Sequence, residues 1–459
     1  MPICDVLLIV PPNASLVRGA SSGAGAGFIP PLGLGYLAAV LEQVGYRVDI
    51  LDMDVMAWRG SDLVRWVQER QPRVVGISLM VGSYNTGLRA AQLIRNECPP
   101  TKIVVGGPQA TFLAEEILNH HPAVDVVACH EGELTLLELM QAWETNPSAL
   151  ESILGIAFRR EDGIHQTPPR PLIKDLDTLP LPARHLFQMK RYAKPGVLLT
   201  ARGCVGQCVF CAARATYPEQ PYRARSPQAV MAEIAELSES FGLHDFFIAD
   251  DAFTLQPKRA LAICDLIIAS GLKAHWTCEA RVNSMTPDLV HKMRAAGCHQ
   301  IFYGVETGDP DVMKLIRKGI RLEQVEEVVN FTQAAGIDVM CSFILGFPWD
   351  TPQTIGQTIE FAGKLRRMGA TWPNRGGPGR GFVTAAFYHL TPLPGTFIFE
   401  HASELGLKFL SKNWDHYTMA APIIETAHLS AADLREWRLR ATRSIELERN
   451  ASPVETVLC

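Results

Sequence analysis

Apolar residues in the first third of the chain fall in short unbroken runs separated by amphipathic stretches. Val6 to Val10 is continuous and is ended by Pro11-Pro12, the pattern of a strand buried on both faces that leads into a loop. A Gly/Ser/Ala stretch from Gly19 to Gly27 reads as loop. Pro30-Pro31-Leu32-Gly33 then opens an amphipathic segment, Tyr36 to Gln43, that stops at Gly45, a common helix terminator. The runs Val48–Leu51, Val74–Leu79, Ile103–Val105 and Val124–Val127 repeat the pattern with helical stretches between them. Alternating strands and helices predict an α/β unit with a parallel sheet covered on both faces, whose ligands lie beyond the carboxyl ends of the strands. Ser78, Gly106-Gly107-Pro108 and Glu131-Gly132-Glu133 fall at those ends.

Six prolines between Pro168 and Pro195 oppose helix and central strand alike, so an interdomain linker is expected over 146–194, after a first domain at 1–145. Strand-like segments resume at Val197–Thr200, Asp245–Ile248, Ala274–Cys278, Gln300–Gly304, Asp338–Ile344 and Thr384–His389, again alternating with helical patterns. Such strand–helix repeats predict a partial (β/α)6 barrel of the TIM type over 195–396, with chemistry at the C-terminal strand ends. The remainder, 397–459, reads as a small, mostly helical region in which Ser430 to Glu448 is rich in Arg, Glu, Ala and Leu.

Composition narrows the function classes. At 459 residues the chain exceeds a single core, and 47% apolar with 20% charged residues describes an ordinary globular protein. A net charge of -5 lacks the basic field of a nucleic-acid binder. No apolar run reaches membrane-spanning length and the start lacks a signal-peptide pattern, so a cytoplasmic protein is expected. Eleven cysteines, an odd number scattered over the chain, argue for metal binding or core packing rather than a disulfide framework.

Three of them stand together. Cys204, Cys208 and Cys211 form a C-x3-C-x2-C loop directly after the Val197–Thr200 strand, with Gly203 and Gly206 permitting a tight backbone. A cluster ordinarily takes four cysteines, so three imply an iron left open to an external ligand. Structural zinc sites instead pair C-x2-C units far apart with a fourth Cys or His supplied nearby. With Phe210 before the third cysteine, the loop resembles that of the radical S-adenosylmethionine (SAM) superfamily. The resemblance implies a 4Fe-4S cluster on Cys204, Cys208 and Cys211. It also implies SAM chelated to the open iron and split by one electron to methionine and a 5'-deoxyadenosyl radical.

Further segments resemble that superfamily at successive strand ends. Phe247 to Phe253 resembles the motif that meets the methionyl ammonium, which implies Asp250 and Asp251; carboxylates there accept charge-assisted hydrogen bonds. Trp276 to Arg281 resembles the third-strand segment, with Arg281 toward the SAM carboxylate. Tyr303 to Gly308 implies Glu306 on the ribose, Phe343 to Pro348 implies Gly346 near the adenosine, and Tyr388 closes the series, while Phe210 is implied beside the adenine.

The first domain resembles the Rossmann-like (flavodoxin-like) cobalamin-binding domain of the B12-dependent branch. The pieces that carry this are Pro30 to Ala38, Val75 to Ser78, Val105 to Thr111 and His130 to Thr135. Implied cobalamin contacts are Pro31, Leu32, Gly33, Ser78, Gly106, Gly107, Gln109, Glu131 and Gly132. An Asp-x-His-x-x-Gly motif is absent and the position of Gln109, often His in the family, carries no imidazole. No histidine on cobalt is therefore expected, and Met80 or Tyr84 could cover its lower face.

The Gly/Pro/Arg loop from Trp372 to Gly381 reads as solvent loop, and Cys278, Cys298 and Cys341 as core. The resemblance implies a radical methyltransferase that uses the 4Fe-4S cluster, SAM and cobalamin to methylate an unactivated carbon of a small molecule or natural product. An electron donor such as flavodoxin or ferredoxin is implied, and no nucleic-acid or membrane partner is expected. A ring closure or rearrangement with the same cofactors, and a non-enzymatic cobalamin sensor or carrier, are the alternatives.

Overall fold

The computed structural model describes residues 4–13, 28–145, 147–218, 221–369 and 381–450, so the Gly19–Gly27 stretch and most of the Trp372–Gly381 loop lie outside the described residues. The chain divides into two compact units. One comprises Met1–Val197 with Asn413–Tyr417, and the other Leu198–Lys412 with Thr418–Cys459.

In the first unit, β1 (Val6–Val10), β2 (Val48–Asp52), β3 (Val74–Ser78), β4 (Lys102–Gly106) and β5 (Val126–Ala128) run parallel in the order β2-β1-β3-β4-β5. Between them lie α1 (Leu32–Gln43), α2 (Gly60–Arg70), α3 (Tyr84–Glu97), α4 (Pro108–Phe112) and α5 (Ala114–His120), and α6 (Glu133–Thr145) follows β5. Val6, Leu8, Val74, Val104 and Val126 pack in one core with Leu34, Ala38, Leu136 and Leu139 of α1 and α6. That packing accounts for the unbroken apolar runs, since both sheet faces are covered.

The expected linker is largely structured. β6 (Ile156–Arg160) and β7 (Gly163–Gln166) form an antiparallel hairpin that adds to β5, with Phe158 opposite Val126. The apolar Ile156-Ala157-Phe158 side chains are buried there and cover what would be an open sheet edge. The proline-rich stretch beyond is irregular but is packed on the same unit: Ala183 donates to the Gly35 carbonyl at 3.0 Å, and a Cβ on Gly35 would stand 3.1 Å from Phe187. The unit boundary therefore falls at Val197. Asn413–Tyr417, expected within the C-terminal region, belongs to the first unit, where Asn85 Nδ2 donates to Asn413 at 2.7 Å and to Asp415 at 3.0 Å.

In the second unit, β8 (Val197–Leu198), β11 (Asp245–Ile248), β12 (His275–Ala280), β13 (Cys298–Glu306), β14 (Asp338–Leu345) and β15 (Val383–His389) form a six-stranded sheet in sequential order, parallel from β11 through β15. β9 (Ala201–Gly203) pairs separately with β10 (Tyr222–Ala224). The helices that follow strands are α8 (Pro227–Phe241), α9 (Pro257–Ala269), α10 (Pro287–Ala295), α11 (Pro310–Leu315), α12 (Leu322–Ala334) and α13 (Pro352–Met368), with the four-residue α7 (Ala213–Thr216) after the cysteine loop. Ser226-Pro227, Thr286-Pro287, Asp309-Pro310 and Thr351-Pro352 start four of them alike. The capping oxygen accepts a first-turn N–H, and the proline takes a position whose N–H has no helical acceptor. The last segments are α14 (Phe397–Glu400), the antiparallel pair β16 (Lys408–Phe409) and β17 (Ile424–Glu425), and α15 (Ala431–Asn450), so the C-terminal region is not helical throughout.

Side chains along β13, β14 and β15 alternate between buried and half-buried. The buried set faces the helices: Tyr303 Oη is 3.0 Å from Thr332 Oγ1 of α12. The opposite set, which includes Phe302, Ser342, Ile344 and Tyr388, lines a concave face that solvent reaches. A closed eight-stranded barrel fills its interior with side chains; six strands leave this lumen open.

Candidate functional site

The cysteine loop follows β9. Gly203 has φ +83°, and a Cβ there would overlap the Pro221 carbonyl oxygen, so only glycine takes the chain from strand to loop. Gly206 donates its N–H to Cys204 Sγ at 3.3 Å, and Arg281 Nη1 stands 3.8 Å from Cys208 Sγ. Cys211 is exposed, yet desolvation by the surrounding protein pushes its thiol up to about 11, with Cys208 and Cys204 adding to the shift. Among the described residues no three His, Cys, Asp or Glu side chains converge as around a single metal ion. An iron–sulfur cube needs a different arrangement, since each thiolate takes its own iron and the sulfurs surround a volume. Two donors to sulfur and a glycine-made turn fit such a group.

Asp250 and Asp251, expected to share one role, do different things. Asp250 is buried; its Oδ1 accepts the N–H groups of Thr200 (2.6 Å) and Ala201 (2.9 Å), and its Oδ2 accepts the Thr200 hydroxyl. Burial nonetheless raises its carboxyl to about 6. With both oxygens spent on the base of the cysteine loop, Asp250 fixes that loop rather than offering itself to a ligand. Asp251 accepts the Gly203 N–H and remains exposed, while surrounding protein raises its carboxyl above the ordinary range. Exposure together with desolvation is the mark of a recess.

Glu279, which the sequence reading passed over, has the same character. It is exposed, shares the lumen face of the sheet with its register partner Phe302, and has its carboxyl raised to about 7, first by burial and then by Asp251. Period-two alternation along β12 was the available signal, because a charged residue between buried Cys278 and Ala280 points to the opposite face. Lys318 was also missed. Its Nζ is 2.6 Å from Glu306 Oε1, both side chains are buried, and it lies 5.9 Å from the Phe210 ring centroid.

Glu306 therefore faces a cation, with φ +74° after a register shift in β13. Arg281 Nη2 donates to the Lys318 carbonyl at 2.5 Å, and the Val209 N–H to the Ile316 carbonyl at 3.1 Å, tying the cysteine loop and the end of β12 to residues 316–318. Phe210 packs on Phe347 with centroids 5.5 Å apart. Gly346 has φ +101° and donates to Asp350 Oδ2 at 2.9 Å; a Cβ there would point at Leu434 of α15, 3.1 Å away, so it presents backbone only. Tyr388 lies half-buried on the lumen face, whereas the adjacent His389 is buried beside Arg435 and Arg438 and its imidazole is pushed down to about 4.

In the first unit, Ser78 and Gly106 are register partners at the ends of β3 and β4. Gly107 (φ +95°) would set a Cβ 3.0 Å from the Leu79 carbonyl oxygen, and Gln109 donates its N–H to that carbonyl at 3.2 Å. Gln109 is 4% exposed and its Nε2 has no hydrogen-bond partner, an orphaned donor of the kind a ligand satisfies. Met80, the residue after Leu79, is 53% exposed. These residues fit a large ligand rich in amide acceptors, such as cobalamin.

Pro31 and Gly33 open α1, with free space where a Gly33 Cβ would stand. Leu32 is buried, so its side chain serves the core. Two expectations change. Tyr84 is buried against Trp414, centroids 6.1 Å apart, with its hydroxyl 3.5 Å from Glu116, and so does not present itself at the strand ends. Glu131 is buried and accepts the Ile173 N–H at 2.7 Å, holding the following segment, while Gly132 passes close to Leu37.

Comparison with known proteins adds three findings. Residues 198–362 match the model of the radical SAM superfamily, and residues 23–140 that of the B12 binding domain. A Pyrococcus horikoshii protein named as an uncharacterized methyltransferase is 31% identical over 451 residues, covering 97% of this chain and 93% of its own, and the cytidylyl-2-hydroxyethylphosphonate methyltransferase of Streptomyces wedmorensis is 28% identical, covering 90% and 87%. Among solved structures, the radical SAM methyltransferase TsrM of Kitasatospora setae, with cobalamin and a 4Fe-4S cluster bound, shares the fold with a TM-score of 0.72 at 17% identity, covering 98% of this chain and 91% of its own.

Proposed function

Since the chain belongs to the radical SAM superfamily and carries a B12 binding domain ahead of the radical SAM domain, so that its cofactors are SAM, an iron–sulfur cluster and cobalamin, we propose that it is a cobalamin-dependent methyltransferase acting on an unactivated carbon of a small molecule. The observation that carries this reading is the three-cysteine loop held by Asp250 and Arg281 at the mouth of an open, acid-lined lumen. Bound, the cluster supplies the electron that splits SAM to methionine and a 5'-deoxyadenosyl radical, and cobalamin carries the methyl group.

The chain's own part is to bind, orient and exclude water. Cys204, Cys208 and Cys211 hold the cluster. Asp251 offers a carboxylate to the SAM ammonium, and Arg281 a guanidinium to its carboxylate. Phe210 and Phe347 give the adenine an apolar wall, the free acceptor positions of Glu306 face the ribose, and Gly346 and Tyr388 bound the same space. In the first unit, Ser78, Gly106, Gly107 and Gln109 offer backbone and amide donors to cobalamin, with Pro31, Gly33, Met80 and Gly132 around them.

The test is an anaerobic assay of protein loaded with iron, sulfide and cobalamin, given SAM and a strong reductant, with 5'-deoxyadenosine and S-adenosylhomocysteine quantified by mass spectrometry. Both products, the second dependent on cobalamin, are expected, and Cys208→Ala should abolish both. Formation of 5'-deoxyadenosine alone would turn the reading toward a rearrangement, and absence of both in well-loaded protein would end it.

A further inference from the structure

Behind the strand that leads into Cys204 lie two side chains whose polar atoms the fold leaves partly unused. Tyr222 of β10 pairs with Gly203 of β9, the residue before Cys204. Its hydroxyl oxygen is buried and makes no hydrogen bond among the described residues. Arg259, in the first turn of α9, is 8% exposed. Its Nε donates to the Arg225 carbonyl at 2.7 Å and its Nη2 to the Thr200 carbonyl at 2.6 Å, but its Nη1 is buried without a partner. We propose that Arg259 and Tyr222 set the potential at which the cluster takes its electron, Arg259 through a fixed buried charge and Tyr222 through a hydroxyl free to donate to sulfur. The proposal rests on the reading that Cys204, Cys208 and Cys211 hold the cluster.

The two groups and the first cysteine act on one another. Burial raises the Tyr222 phenol above its ordinary value; Arg259 opposes that rise and Cys204 adds to it, so guanidinium, hydroxyl and thiol lie within electrostatic reach. The charge on Arg259 is also unmatched. Its neighbour Arg225 is paired with the fully buried Glu233, whereas Arg259 has no ion pair among the described residues. Asp250 feels its charge, but both Asp250 oxygens are taken by the Thr200 and Ala201 N–H groups and the Thr200 hydroxyl.

A purely structural role covers only part of this. The two carbonyl bonds account for Nε and Nη2 of Arg259, and nothing in the chain accounts for the Tyr222 hydroxyl. A buried hydroxyl without a partner is a cost that phenylalanine would avoid, so it calls for an acceptor from outside the chain. Sulfur atoms of a cluster on the adjoining loop are such acceptors. Reduction adds one negative charge to the cluster, and a nearby cation and a donor to sulfur both favour the more negative state, raising the potential. In the step itself the external reductant loses one electron and the cluster gains it; no bond forms or breaks, and neither residue gives up its proton.

The experiment loads the full chain and its Y222F, R259Q and R259K variants with iron and sulfide and measures both per chain. The EPR signal of the reduced cluster is then followed while dithionite lowers the potential in the presence of redox mediators. At the wild-type midpoint, Y222F and R259Q should each show about a tenfold lower ratio of reduced to oxidised cluster, a shift of about 59 mV to more negative potential. R259K keeps the charge and should stay at the wild-type midpoint. A role confined to packing would leave the midpoint of every loaded variant in place. The proposal is overturned if loaded Y222F or loaded R259Q keeps the wild-type midpoint, or if R259K moves as far as R259Q. Should R259Q fail to load, Y222F decides alone, since its lost hydroxyl serves no bond within the chain. Wild type that takes up no iron or sulfide would overturn the cluster reading and this proposal together, whereas equal midpoints in loaded proteins overturn this proposal only.

Discussion

Lys318 Nζ and Glu306 Oε1 lie 2.6 Å apart inside the second unit, with both side chains largely buried. The pair has room because residue 304 is glycine: a Cβ there would overlap Glu306 Oε1 and stand 2.6 Å from Lys318 Nζ. The end of β13 and the segment that follows α11 thus agree on one buried charge pair. Removing one partner leaves the other buried without compensation, which ordinarily costs about 3–5 kcal/mol. Lys318→Met should therefore lower unfolding free energy by about that amount, and Glu306→Gln in the same chain should recover part of it. Urea denaturation of the two single variants and the double variant measures the coupling; additive losses would show that the pair does not act as a unit.

Asp250 sets a contrast between substitutions. Asp250→Ala strands the N–H groups of Thr200 and Ala201, a loss of about 2–6 kcal/mol at about 1–3 kcal/mol per orphaned buried group, offset in part by relief of a buried charge. Asp250→Asn keeps an acceptor for both and should fold with its loop intact. The folded carboxyl titrates near 6 against an ordinary value of 3.8, so the native state holds its proton more tightly and this group makes stability fall as pH rises from about 4 to about 6. That slope should diminish in Asp250→Asn; an unchanged slope would assign it elsewhere.

Glu279 should make SAM binding pH-dependent. Its carboxyl, raised to about 7, gains negative charge as pH rises through neutrality, and SAM brings a sulfonium and an ammonium into the same lumen. Affinity for SAM, followed by equilibrium dialysis, should rise with pH through about 7 in wild type and lose most of that dependence in Glu279→Gln. Identical profiles for the two proteins would remove Glu279 from the site.

Gly203 tests the turn into the cysteine loop. With φ at +83° and no room for a Cβ beside the Pro221 carbonyl, Gly203→Ala should cost about 1–3 kcal/mol from backbone strain, more if the overlap is not relieved. Reconstituted iron and sulfide per chain should fall accordingly. Full cluster loading with an unshifted Tm would show that the loop adapts.

The cysteine spacing and the alternation of apolar runs were legible because each is a local signal, complete within about ten residues. Six strand segments of the second unit were found at nearly their observed positions for that reason. The hairpin at Ile156–Gln166 was not, because a short amphipathic pair gains its stability from an edge, β5, that no local window contains. Likewise Tyr84 sits at a strand-end loop in sequence, and only the return of Trp414 against it explains its burial.

The sequence by itself determined the α/β character of both units, since the alternation of apolar runs suffices for it, and the C-x3-C-x2-C spacing at Cys204, Cys208 and Cys211 carried the resemblance that implied the cofactors. Tertiary structure alone separated Asp250 from Asp251, paired Glu306 with Lys318, brought Glu279 into the lumen and left Gln109 Nε2 without a partner. The physical reason is common to all four. A polar group's role follows from which neighbours meet its hydrogen-bonding and charge requirements, and those neighbours come from distant segments that only packing assembles.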